Sequence, residues 1–76
     1  MTLHPLTEAT VDAFAADLKG KLLAAQLKRP DDPIGWRRED WLDECRKDLK
    51  RHVTKGDPLD VAAYAMFCWF HSWATS

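Results

Sequence analysis

The sequence predicts an all-α protein: a three-helix bundle whose second and third helices form a tight antiparallel hairpin. Three observations carry that prediction. Residues Val61–Phe70 are all apolar or aromatic and follow a helix-start signal, Asp57-Pro58-Leu59-Asp60. Two earlier stretches show apolar residues at helical spacing. Only one long proline-rich loop, Arg29–Gly35, separates the three segments.

The third helix is expected over about 58–73. Asp57 suits the N-cap, because its carboxylate accepts from a free N–H of the first turn. Pro58 fits the first helical position, where its missing N–H costs nothing. Asp60 lies near the positive end of the helix dipole. A helix that is apolar on all sides must be surrounded, by its own chain or by another.

The first helix is expected over about 8–28. Thr7 reads as its N-cap, with Leu6 and Val11 as a hydrophobic staple. Val11, Phe14, Ala15, Leu18, Leu22 and Ala25 then form one stripe, widened by Leu23 and Leu27. Asp17 and Lys21 are spaced as an exposed i, i+4 ion pair. Gly20 is either a tolerated interior glycine or a mark of close helix approach. Ile34 and Trp36 are expected to pin the following loop to the core.

The second helix is expected over about 38–54, with Trp41, Leu42, Cys45, Leu49 and Val53 on one arc. Its acidic residues Glu39, Asp40, Asp43 and Glu44 precede its basic ones, an order that complements the dipole. Gly56 suits the C-terminal cap, and the short connection favours a hairpin. Lys47, Lys50, Arg51 and Lys55 form either a solvated face or a phosphate-binding patch.

Seventy-six residues make a single helical domain, 1–76. Such a chain buries only roughly 60% of its unfolded surface, and small domains of this kind gain stability by oligomerising. A homo-oligomer is therefore expected, most simply a dimer through the third helix. Tyr64, Phe67, Trp69, Phe70 and Trp73 would supply its aromatic interface, with burial in the chain's own core as the alternative. A net charge of −1 argues against nucleic acid as partner. The apolar run of helix three is too short for a bilayer, which needs about 20 residues, so no membrane partner is expected. Met1–Pro5 holds no apolar run, so no secretory leader is expected either. Cys45 and Cys68 match no zinc spacing. Two buried free thiols and a cytoplasmic location are the first reading, and a disulfide between helices two and three is the second. His52 lies near the turn, where Asp57 could orient it as an acid–base pair, but no nucleophile stands beside them.

Asp57-x-x-Asp60-Val-Ala-x-Tyr-Ala-Met resembles the second metal motif of the MazG-like, all-α nucleotide pyrophosphohydrolases, an E-x-x-D followed by an apolar helix. The likeness is specific over Lys55–Met66 and looser over residues 14–73, where it is similar to small phage-encoded relatives. It implies Mg²⁺ held by Glu44, Asp48, Asp57 and Asp60. The family's first motif, E-E-x-x-E, has Asp43-Glu44-Cys45-Arg46-Lys47 as its nearest match, with lysine in the third acidic position. In a straight antiparallel pair, Glu44 and Asp60 also differ in level by roughly 12 Å. A Mg²⁺ site would then have to be assembled across subunits. The function expected first is a small non-catalytic phage-type accessory protein, binding a host protein or a nucleotide-like ligand. The aromatic helix-three face would give contact area, and Lys47, Lys50, Arg51 and Lys55 the charge.

Overall fold

The computed structural model describes every residue, Met1–Ser76. It contains α1 (Pro5–Lys28), one 3₁₀ turn at Gly35–Arg37, α2 (Leu42–Lys55) and α3 (Pro58–His71), with no strand. The predicted all-α bundle is the observed fold.

α3 starts as its sequence dictates. Asp57 Oδ1 accepts from the backbone N–H groups of Leu59 (3.0 Å) and Asp60 (3.4 Å), and Pro58 opens the first turn. Gly56 closes α2 in the left-handed region at φ 82°, its N–H donating to the carbonyls of His52 and Val53. Those two residues, one glycine and one cap, turn the chain through the hairpin. α2 and α3 consequently share the most extensive contact in the molecule. α3 ends at His71, two residues before Trp73, with Ser72 as its left-handed cap.

The core lies between these two helices. Cys45 of α2 meets Ala63, Phe67 and Cys68 of α3, and Leu49 of α2 is buried as well. Cys45 Sγ and Cys68 Sγ stand 3.7 Å apart as free thiols, so the disulfide reading is not realised. Burial, and then the hydrogen bond with Cys68, pushes the Cys45 thiol up to about 12. Phe67 is ringed by aromatics: Trp36 stacks on it at 5.3 Å, and Trp41 and Tyr64 meet it at 5.6 Å.

Trp36 holds the loop in place. Its carbonyl accepts from Trp41 Nε1 (3.0 Å) and lies 2.8 Å from His71 Nε2, while its ring packs edge-on to Phe70. Ile34 is exposed and pins nothing. The bend over residues 38–41 is fixed instead by an Arg38–Asp40 ion pair at 2.8 Å, so α2 begins at Leu42 rather than near 38.

α1 departs most from expectation. It starts three residues early: His4, not Thr7, is the cap, its Nδ1 accepting from Leu6 N–H (3.1 Å), and Pro5 takes the first helical position. Leu6 and Val11 are both exposed and form no buried staple. Only Leu18 and Leu22 of α1 pack on the core, against α3. At 1.5 Å per residue α1 is about 36 Å long and α3 about 21 Å, so the N-terminal half of α1 overhangs. α1 has no buried residue and makes no close approach to α2. The consequence is an open shape: the radius of gyration is 13.8 Å, against about 11.4 Å for a compact domain of this length.

Candidate functional site

Because α1 and α2 both lean on α3 without touching each other, a cleft of 1220 Å³ opens between them. Tyr64 and Phe67 of α3 form its floor, with Trp36 and Trp41 from the loop side. Lys21 and Lys28 line it from α1, Arg29 from the cap just past that helix, and Glu44, Asp48 and Arg51 from α2. Its volume exceeds the ~300–1,000 Å³ usual for small-molecule sites, and it combines an apolar floor with a polar rim.

Five cations and five carboxylates line the cleft. Three of the cations are committed to partners. Lys21 bridges Asp57 (3.2 Å) and Asp60 (3.3 Å), Arg38 pairs with Asp40, and Arg51 reaches Asp48 at 3.4 Å. Lys28 and Arg29 belong to no ion pair and are the cations free to meet an anionic group.

The Lys21 bridge replaces the Asp17–Lys21 pair read from the sequence. It ties α1 to the first turn of α3, where two carboxylates already face the helix dipole, a stronger field than one exposed carboxylate offers. The hydrogen bond from Lys21, followed by that with Asp60, holds the Asp57 carboxyl at about 2, below its ordinary 3.8. Contact with Asp57 and then Asp60 raises Lys21. A carboxylate with a depressed pKa stabilises the fold fully above its unfolded value and ceases to do so as it protonates. Melting temperature should therefore fall as pH drops from about 4 toward about 2. Asp57→Asn should flatten that part of the profile; an unchanged profile would show that the bridge carries no stability.

His52 faces Asp60, not Asp57. Its Nδ1 is buried, 3.4 Å from Asp60 Oδ2 but without a hydrogen bond, and its ring stacks on Tyr64 at 5.1 Å. Asp57 is already occupied by its capping role and by Lys21, which is why it does not orient His52.

The acidic quartet is divided. Glu44, Asp48 and Asp60 line the cleft, whereas Asp57 does not. No three acidic, histidine or cysteine groups in one chain come close enough to hold a metal ion. The basic quartet is divided as well. Arg51 lines the cleft, but Lys47, Lys50 and Lys55 stand exposed on α2, with Lys50 beside a second depression near Val53 and Thr75. Of the five aromatics, Tyr64 and Phe67 face the cleft. Phe70 lies under Arg37 at 4.8 Å, and Trp73 stacks on His71 and meets Trp41 edge-on. Trp69 is 80% exposed. The helix-three aromatics are therefore not one wall: most turn inward, because Trp36 and Trp41 from the loop cover what α1 and α2 leave open.

Sequence reasoning missed Trp36, Trp41, Arg29 and Lys28 as cleft residues. Their signal was local and bland, two tryptophans beside a loop and two cations at a helix end. Only the splaying of α1 from α2 brings them together. No helix is long and apolar enough to cross a membrane. No family model matches the chain, and neither a curated protein nor a solved structure matches it.

Proposed function

We propose that this chain is a small non-catalytic accessory protein that binds a nucleotide-like ligand, a planar ring carrying an anionic group, in the cleft between α1 and α2. One observation carries this reading: a basic residue from α2, Arg51, and two aromatics from α3, Tyr64 and Phe67, line the same cleft. Trp36 and Trp41 offer further ring faces, and the unpaired Lys28 and Arg29 offer charge. A planar base stacks on aromatic side chains, and an anion is met by the unpaired Lys28 and Arg29 of an otherwise charge-balanced rim. The free, buried thiols fit a reducing cytoplasm. The Asp57–Met66 likeness to phage-encoded relatives fits an accessory role. The exposed Trp69 fits contact with a host protein.

The test is a titration with ATP and GTP followed by tryptophan fluorescence, since Trp36 and Trp41 line the cleft. Saturable quenching is expected, and Arg29→Glu should weaken it sharply without changing the melting temperature, since Arg29 belongs to no ion pair. A flat titration with the unaltered chain would refute the ligand.

A second reading, a Mg²⁺-dependent MazG-like nucleotide pyrophosphohydrolase, is favoured by Glu44, Asp48 and Asp60 lining that same cleft. It needs further ligands from another subunit, because one chain assembles no metal-sized group. Mg²⁺-dependent release of pyrophosphate, lost in Asp60→Asn, would establish it over the first.

A further inference from the structure

α1 carries a second apolar face, turned away from the rest of the molecule. Leu6, Leu23 and Leu27 are 74%, 53% and 69% exposed. Between them, Ala9, Ala13, Ala16 and Gly20 are also exposed. Together these seven positions follow one another at steps of 3, 4, 3, 4, 3 and 4. That is an unbroken heptad seam, the spacing by which helices pair along their length. It lies on the side of the helix opposite Leu18 and Leu22, which pack against α3.

The molecule has surface to spare for such a pairing. Its accessible surface is 6074 Å², against about 4,700 Å² for a folded monomer of 8.7 kDa. The excess, about 1,300 Å² over the whole molecule, the cleft included, leaves room for the ~800 Å² that each partner buries in a standard interface.

The charges along α1 choose the partner and its direction. Glu8, Asp12 and Asp17 are the only charged side chains up to Leu18, and all are acidic. Beyond it come Lys19, Lys21, Lys28 and Arg29 with no acidic residue among them. Two copies side by side in parallel would set acid on acid and base on base. Antiparallel, each acidic half lies along the basic half of its partner, and Leu23 and Leu27 of one copy fall opposite the alanines of the other. Large residues then face small ones, as a well-packed seam requires. Gly20 has open space where a Cβ would project, so nothing in its own chain demands a glycine there; at the seam a glycine lets the partner backbone approach closely.

We propose that a second copy of this chain covers the seam, in a two-fold dimer built on antiparallel α1 helices. The two-fold relation makes the contact self-complementary and closed. The seam residues themselves lie outside the cleft, although the flanking Lys28 and Arg29 also reach its rim, and the contact places the dimer on α1 rather than on α3.

Light scattering after size exclusion should give twice the 8.7 kDa chain mass. Ala16→Glu sets like charges against each other in the seam and should weaken association by about a hundredfold or more. Ala16 is exposed in the single chain, so the variant should keep its circular dichroism. Glu8→Lys with Asp12→Lys should also weaken the dimer, and adding Lys19→Glu with Lys28→Glu should restore it. A wild-type monomer at the highest soluble concentration would overturn the proposal. So would a dimer indifferent to Ala16→Glu but broken by Trp69→Ala, which would move the contact to α3. Failure of the charge reversal to weaken the dimer would overturn the antiparallel arrangement.

Discussion

Phe67→Ala is expected to lose about 3–5 kcal/mol of unfolding free energy. The ring is the hub of the aromatic cluster, in contact with Trp36, Trp41 and Tyr64, and it sits beside both buried thiols. Only five residues of 76 are buried, so little else can collapse into the space it would leave. A chain of this length has about 4–11 kcal/mol of stability in all, and this one substitution takes a large share of it. Urea unfolding followed by fluorescence measures the loss. A change below about 1 kcal/mol, the average for point substitutions anywhere in a chain, would show that Phe67 is not the centre of the core.

Trp36→Ala is expected to cost about 2–4 kcal/mol, from lost burial and from its two ring contacts with Phe67 and Phe70. Its backbone carbonyl remains, and with it the acceptor for Trp41 and the contact with His71. The variant should therefore keep its helices and this backbone tether to α3, while the space its ring fills against Phe67 and Phe70 empties. Since Trp36 is also a wall of the cleft, nucleotide-induced quenching should weaken in the same protein. Comparing urea unfolding with the ligand titration separates the two effects. Full stability, or binding undiminished in a destabilised chain, would contradict the place given to Trp36.

The α2–α3 hairpin was legible because its determinants are local. Asp57, Pro58 and Gly56 each act within a few residues of themselves, through a cap, a fixed φ and a left-handed turn. The start of α1 was misplaced for a similarly local reason. An imidazole serves as cap acceptor at His4, and the usual ranking of capping residues leads instead to Thr7. The candidate site was legible only in fragments. Arg51, Tyr64 and Phe67 were singled out, but Lys47, Lys50 and Lys55 share their charge and not their location.

By itself the sequence determined three helices, their hairpin and the burial of both cysteines, since caps and apolar spacing act along the chain. The tertiary structure decided how much of α1 turns inward. Periodicity marked the stripe through Leu18 and Leu22 correctly but had Leu23 and Leu27 widen it, whereas those two lie with Leu6 on the opposite, exposed face. The bridge from Lys21 to Asp57 and Asp60 ties α1 to the first turn of α3 beside the contact made by Leu18 and Leu22. Leu18 and Leu22 meet the core, a cleft opens beside α2, and the opposite face is left in solvent. Lys21 pairs with charges 36 and 39 residues away in sequence, and pairing over such a distance exists only once the chain has folded.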